Sequence, residues 1–380
     1  MGLDGDPRGL RAALLEPKTT RSVGGGIPTR SVGASLAILA LALGVLGSSP
    51  ASAQQPSTPS SKTGEVVPRD VREMYDRGMQ YLARTQAATG DWPNDSQTGP
   101  GTTGLAMMVF LASGEDPNYG LYSTHVRRAL RNIIGQQDGE TGYLGNSMYH
   151  HGFGMLALAE AYGAVDERNL WVDKSGKGQR SIGQALELAV RAAITSQKKN
   201  PLGAWRYSPG ATDADTSVSG AVLVGLLAAR NAGIEVPDES IDKAMGYYKS
   251  MTSSSGQVGY SGGFGGFDES IARISISTLV QAVARRKDTP TYKASIGYLK
   301  QRIETPAGSY PEYARYYQAQ ALFQGDVEAW EKWNKLLIRQ LKAAQQADGC
   351  IPGQFGNSLG TSMSCLALAL NYRFLPIYER

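Results

Sequence analysis

The sequence predicts an all-α protein in which six helix pairs close into a ring. Two observations carry this. Runs with a helical apolar period recur along most of the chain, and no strand signal competes with them. A Gly-aromatic loop also recurs between the two helices of each pair. Its anchors Trp92, Tyr143, Trp205, Tyr260, Tyr310 and Ile351 stand 51, 62, 55, 50 and 41 residues apart. A repeated helix–loop–helix unit of this size is the signature of a repeat architecture. Six such units suit six inner helices around an axis and six outer helices wrapping them.

The first unit pairs an outer helix over Met79–Ala87 with an inner helix over Thr103–Ala112, through Gly90-Asp91-Trp92. The second pairs Val126–Ile134 with Gly152–Tyr162 through Gln137 and Gly142-Tyr143. The third pairs Ile182–Ser196 with an inner helix from Ser217, through Gln197, Gly203 and Trp205. The fourth pairs Ile241–Met251 with Ile271–Ala284 through Gly259-Tyr260. The fifth pairs Tyr292–Ile303 with Tyr313–Phe323 through Gly308 and Tyr310. The sixth pairs Trp333–Ala344 with Thr361–Tyr372 through Gln346, Gly349 and Ile351. In the third inner helix, small or apolar residues at Val218, Ala221, Val222, Gly225, Leu226 and Ala229 mark one face. Asp215, Thr216 or Ser217 is placed to cap its N-terminus.

Composition is that of an ordinary globular protein, with 41% hydrophobic and 19% charged residues and a formal charge of +4. No Lys/Arg block interleaves with aromatics, so nucleic acid is not expected as a partner. Residues 1–53 read as an export signal. Arg21 and Arg30 precede the apolar run Ala34–Leu46, and the small residues Ala51-Ser52-Ala53 follow. That run is shorter than the ~20 residues needed to span a bilayer. The expected location is therefore periplasmic, secreted or in the cell envelope, with membrane contact only through the signal segment or a ligand. Removing it leaves 33 basic and 31 acidic residues, a charge of +2. Residues 54–69 are expected to be a disordered linker, Ser/Pro/Thr-rich over Gln54–Glu65, and residues 70–380 one domain. The only cysteines, Cys350 and Cys365, are either bridged or two separate thiols; both readings stand.

The repeated order of outer helix, Gln, Gly-x-Trp/Tyr and inner helix resembles the prenyltransferase and squalene-cyclase repeat. Gln86…Gly90-Asp91-Trp92, Gln137…Gly142-Tyr143 and Gln197…Gly203-Ala204-Trp205 carry the resemblance, which covers roughly residues 70–375. It implies an (α/α)6 toroid, the fold of terpenoid cyclases, protein prenyltransferase β subunits and non-enzymatic complement-type domains. Fold alone does not choose among those functions.

Squalene–hopene-type cyclases carry Asp-x-Asp-Asp-Thr-Ala at the mouth of an inner helix, and its middle acid protonates an alkene. This chain reads Thr212-Asp213-Ala214-Asp215-Thr216-Ser217, which places Ala214 at the proton donor's position. Asp213 and Asp215 are the candidate catalytic acids. The plainer reading makes Asp215 a helix cap, held as an anion by free N–H groups and the helix dipole. The zinc site of protein prenyltransferases has no counterpart, because neither cysteine sits in a suitable Cys/His/Asp pattern. No metal or organic cofactor is called for. Candidate ligand-binding residues are Trp205, Tyr207, His150, His151, Asp268, Tyr313 and Tyr317. Aromatic rings facing an axial cavity suit an apolar or cationic ligand, and equally suit a core.

Three functions stay open at this point, and with them the question of catalysis. The chain is an exported toroid that binds a hydrophobic, isoprenoid-like ligand or a protein partner at its axial cavity. Alternatively, it is a terpenoid-cyclase-like enzyme. As a third reading it is a polysaccharide-active (α/α)6 enzyme, for which Asp95, Asp213, Asp215, Asp268 and Glu269 are candidate paired carboxylates.

Overall fold

A computed structural model of the chain describes residues 67–93, 95–171, 179–262, 269–306, 308, 310–372 and 375–376. The expected export signal, most of the linker, and Asp268 lie outside the described residues. The described residues form twelve α-helices and no strand, only three isolated bridges. The outer helices are α1 (Arg69–Thr85), α3 (Ser123–Gly135), α5 (Ile182–Lys199), α7 (Asp238–Ser250), α9 (Pro290–Lys300) and α11 (Val327–Ala344). The inner helices are α2 (Pro100–Leu111), α4 (Met148–Ala161), α6 (Thr216–Asn231), α8 (Ile271–Val283), α10 (Pro311–Gly325) and α12 (Asn357–Ala369). None is long and apolar enough to cross a membrane.

The two sets differ in composition as their positions require. In α1 the buried residues Val71, Met74, Tyr75, Met79 and Leu82 form one stripe, and the charged residues face outward. In α2 nearly every residue is buried, because neighbours surround it on all sides. Inner helices contact each other in the order α2, α4, α6, α8, α10, α12 and back to α2. Each outer helix packs chiefly on the inner helix before it, and α1 packs on α12. The first helix therefore seals the last, and the ring is a closed (α/α)6 toroid. Small residues set the inner spacing. A Cβ on Gly152 of α4 would lie 2.5 Å from the Ala221 carbonyl carbon of α6, and one on Gly225 would lie 2.6 Å from the Gly152 oxygen.

The recurring loop works by docking onto the next outer helix. Gln86 Nε2 donates to Gly90 O of its own loop (2.9 Å) and to His125 O of α3 (3.0 Å). Gln137 does the same to Gly142 O and Ala185 O of α5 (3.0 and 2.8 Å). Gln197 bonds Gly203 O and Ser240 O of α7 (2.7 and 2.8 Å). The sixth loop closes the circle, with Gln345 donating to Gly349 O (3.1 Å) and to Met74 O of α1 (2.9 Å). The glycines permit this approach. They hold positive φ, and a Cβ on Gly90, Gly142, Gly256 or Gly349 would lie 2.2–2.4 Å from a carbonyl oxygen of the next outer helix.

The structure corrects several sequence assignments. The sixth linking glutamine is Gln345, not Gln346, whose carbonyl instead accepts from Arg77. The buried anchor falls two residues after the glycine, so Leu144 takes the place given to Tyr143, and Gly256 with Val258 the place given to Gly259 and Tyr260. The fourth loop has no linking glutamine; Ser295 of α9 reaches Gly256 O instead. Among the described residues the fifth loop shows no such docking, since a Cβ on Gly308 would meet nothing within 4 Å and Tyr310 is 47% exposed. Cys350 and Cys365 are separate buried thiols rather than a bridge. Cys350 lies buried in the sixth loop, and the Cys365 sulfur packs against Gly78.

Two glycines with similar φ separate strain from docking. Gly142 (φ +77°) sits against Leu188 O, and Gly163 (φ +81°) faces open space. Gly163→Ala should cost about 1 kcal/mol of left-handed strain. Gly142→Ala should lose a further ~1–3 kcal/mol from the clash. Urea midpoints at constant slope measure both; equal losses would mean that loop docking does not constrain the ring.

Candidate ligand site at the mouth of the ring

Every Gly-aromatic loop precedes an inner helix, so these loops gather at the N-terminal end of the inner ring. Caps fix that end. Ser147 caps α4, Asp215 caps α6 and Ser270 caps α8. Pro opens α2 and α10, where a missing N–H costs nothing. Helix α12 is capped from the first repeat, with Asp95 Oδ1 and Oδ2 accepting from Ser358 N and Leu359 N (3.2 and 2.7 Å).

Within this end lies a cavity of about 730 Å³. Its deeper wall comes from residues one turn into the inner helices: Leu105, Phe153 and Met363. An aromatic collar follows, including Tyr149, Tyr207, Tyr260, Tyr310, Tyr313 and Phe355. Neutral polar side chains, among them Gln97, Thr98, Asn146 and Ser217, complete the lining. The collar is tied together. Tyr149 donates to Tyr313 Oη, the Tyr207 and Tyr260 hydroxyls lie 2.9 Å apart, and Tyr310 stacks on Phe355 at 5.4 Å. Burial pushes the Tyr149 and Tyr313 phenols well above their ordinary value, so both stay neutral donors.

The sequence-selected residues divide sharply. His150, Tyr207 and Tyr313 lie on the cavity wall. Trp205 does not; it is buried as a core wedge, its indole N–H donating to Ala193 O at 2.9 Å. His151 is also fully buried. Its Nδ1 accepts from Leu144 N and its Nε2 donates to Ala189 O, both at 3.0 Å, so it links loop to helix α5. Burial pushes it down to about 4, and it stays neutral. Tyr317 packs behind Tyr313 in an edge-on contact (4.9 Å) and is 1% exposed. Sequence reasoning passed over Tyr149, Phe153, Tyr260, Phe355 and Met363. The available signal was the i, i+4 pair at the start of an inner helix: Gly101/Leu105, Tyr149/Phe153 and Leu359/Met363 all line the cavity.

The acidic pair forms a layer beside the collar rather than part of its wall. Asp215 is fully buried; its Oδ1 accepts from Val218 N at 2.7 Å, while Oδ2 has no hydrogen-bond partner. Arg206 Nε stands 3.7 Å from that Oδ2 and 3.6 Å from Asp213, whose side chain is largely exposed. The Arg206 guanidinium lies 5.5 Å from both the Tyr207 and Tyr260 rings. Capping does not keep the Asp215 carboxyl low, although it is still mostly an anion at pH 7. Loss of water raises its carboxyl to about 6, outweighing the cap and Arg206, which both pull it down. The carboxylates proposed for sugar chemistry are otherwise engaged, Asp95 as the α12 cap and Glu269 in an ion pair with Arg302 (2.7 Å). No carboxylate is among the described wall residues.

No protein-family model and no curated protein sequence matches this chain. Solved structures do. A variant of the type II terpene cyclase MstE from Scytonema, in complex with geranylgeranyl dihydroxybenzoate as substrate, aligns with a TM-score of 0.56. Identity is 14%, over 80% of this chain and 98% of that one. The GH76A α-1,6-mannanase from Salegentibacter sp. aligns with a TM-score of 0.57 at 10% identity, over 79% and 98%. An α-amylase from Clostridium perfringens gives 0.53 at 12%, over 80% and 99%. At these identities the likeness is one of fold: all are similar to this chain as (α/α)6 toroids, and both terpene and glycan chemistry occur among them.

The raised Asp215 predicts a pH dependence with a definite sign. Between about pH 4 and pH 6 the folded chain keeps a proton that the unfolded chain has released, so stability falls as pH rises through that window. The loss is on the order of 3 kcal/mol. Asp215→Asn keeps a capping oxygen but no charge. It should lack this slope and be at least as stable as the parent at pH 7. Urea unfolding between pH 4 and 8 measures both, and a clearly weaker Asn variant at pH 7 would show that the Arg206 attraction outweighs burial.

Proposed function

We propose that the axial cavity binds a largely apolar small molecule of isoprenoid type, and that the protein does so after export to the cell envelope. The observation that carries this reading is the cavity of about 730 Å³, with an aromatic and aliphatic wall. That volume falls within the roughly 300–1,000 Å³ of small-molecule sites, which combine apolar walls with a few neutral polar groups. Each CH₂ moved from water onto such a wall contributes about 0.8 kcal/mol. The complex of a similar toroid with a geranylgeranyl compound supports the choice of ligand class. The signal-like residues 1–53 support export. A protein partner docking over the same mouth is the alternative occupant.

A second reading rests on Asp215. A carboxyl raised to about 6, which holds a proton in mildly acidic solution beside the cavity, is the equipment of an acid-catalysed cyclisation. Its capped, buried position and its absence from the wall favour binding over catalysis.

Calorimetric titration with farnesol and geranylgeraniol should show one saturable site. Met363→Trp, which fills the cavity from its deep wall, should weaken it by at least about tenfold with the fold intact. Asp215→Asn should bind as the parent does. Binding of mannooligosaccharides but not prenyl alcohols would overturn the reading in favour of glycans. Conversion of a prenyl substrate by the parent but not by Asp215→Asn would replace binding by catalysis.

A further inference from the structure

The outer wall of the ring carries a second concave feature, which begins at the fifth loop and shares no lining residue with the axial cavity. A groove of about 660 Å³ runs between the end of α9 and the middle of α11. Five cations line it, Lys300, Arg302, Lys332, Lys335 and Arg339, against one acid, Glu304. The chain after residue 53 carries a formal charge of only +2, so this is a local concentration rather than a basic surface.

Both walls are built. On the α9 side, Lys300 pairs with Asp326, the N-cap of α11. Arg302 lies 3.6 Å over the Tyr298 ring and pairs with Glu269. On the α11 side, Lys332, Lys335 and Arg339 recur at intervals of three and four, along one exposed stripe about 10 Å long. The opposite face of α11 is pinned by buried Trp330, Trp333, Leu337 and Leu341, so the helix cannot rotate the stripe away. Glu328 and Glu331 stand four residues before Lys332 and Lys335, the spacing that favours helix ion pairs. On α7 such a pair forms, Glu239 with Lys243 at 2.8 Å. On α11 neither Glu328 with Lys332 nor Glu331 with Lys335 forms an ion pair, and both lysines line the groove instead. Three like charges on one stripe repel each other unless an anion lies among them.

We propose that this groove binds an anionic polysaccharide, a uronate-bearing chain laid between α9 and α11. Regularly spaced cations match repeated carboxylates, and the Arg339 fork suits a carboxylate in particular. Gln301 and Thr305, also on the lining, supply neutral partners for sugar hydroxyls. A nucleic acid fits less well, because the described lining residues include no aromatic ring on which bases could stack. A bilayer also fits less well, because none of the exposed large apolar residues lies at the groove.

The test uses the full chain and an oligogalacturonate of defined length, titrated calorimetrically at several salt concentrations. We expect one site whose affinity falls steeply with salt. The combined variant Lys332→Glu, Lys335→Glu, Arg339→Glu should lose at least about tenfold, while Lys198→Glu with Lys199→Glu on α5 loses nothing. If the triple reversal does not fold, Lys335→Gln with Arg339→Gln should give a smaller loss in the same direction. No binding at low salt, or binding unaffected by these changes, overturns the proposal. So does equal affinity for polyphosphate, single-stranded DNA or anionic vesicles, which would make the groove a plain cation exchanger. Farnesol binding is indifferent to all these variants, so this inference and the cavity reading fail independently.

Discussion

The ring depends on glutamine amides that join four of its docked loops to the next outer helix. A loop carbonyl and a helix carbonyl, both withdrawn from water, share one Nε2. Each hydrogen bond nets only about 1 kcal/mol, but two buried carbonyls without a donor would cost more than the bonds provide. The device is therefore mainly a constraint on alternatives, because a loop that fails to dock strands its own polar groups. At the sixth loop the same device acts on the first helix, through Gln345 and Met74 O. Asp95 crosses the same seam in the other direction to cap α12. Chain ends far apart in sequence thus close the circle with the chemistry used at the internal junctions.

That uniformity explains what could be read from the sequence. Helical period and the recurring glycine placed every pair, because packing against two neighbours forces both on every unit. The errors arise where one residue type serves two purposes. Tyr143 and Tyr260 follow glycine as an anchor would, yet the buried positions belong to Leu144 and Val258. The anchor is defined by its distance from the docked glycine, not by aromaticity. Tyr260 is thereby released to the cavity collar, and Trp205, two residues after Gly203, is committed to the core. Adjacent His150 and His151 are divided by the 100° helical step, one to the wall and one to a bridge between units. In the fifth unit a Cβ on the glycine meets nothing, although Gln301 ends its outer helix as Gln86 ends α1, so nothing in the sequence signalled the difference.

Asp215 shows why a local rule was insufficient. A carboxylate at a helix N-terminus is ordinarily favoured as an anion. Here the cap occupies one oxygen and the other is sealed from water with only Arg206 nearby, itself shared with Asp213. The burial that a closed ring imposes on its inner helices reverses the local preference. Sequence shows which residue caps a helix, but the dielectric around that cap is set by the other repeats.

The same accounting bears on function. The toroid positions six loops at one end and leaves their chemistry free, so fold likeness to a terpene cyclase and a mannanase fixes neither reaction. What separates the readings is where the carboxylates are employed. Hydrolysis of a glycosidic bond needs two carboxyl groups facing one cleft, with oxygens available to substrate and water. In this chain both oxygens of Asp95 hold α12, Glu269 holds Arg302, and one Asp215 oxygen holds α6. With these acids engaged in building the rim, what faces the cavity among the described residues is rings, aliphatic carbon, one histidine and neutral hydrogen-bonding groups. Such a surface discriminates by shape and desolvation rather than by charge, which is the property expected of a site that holds an apolar ligand.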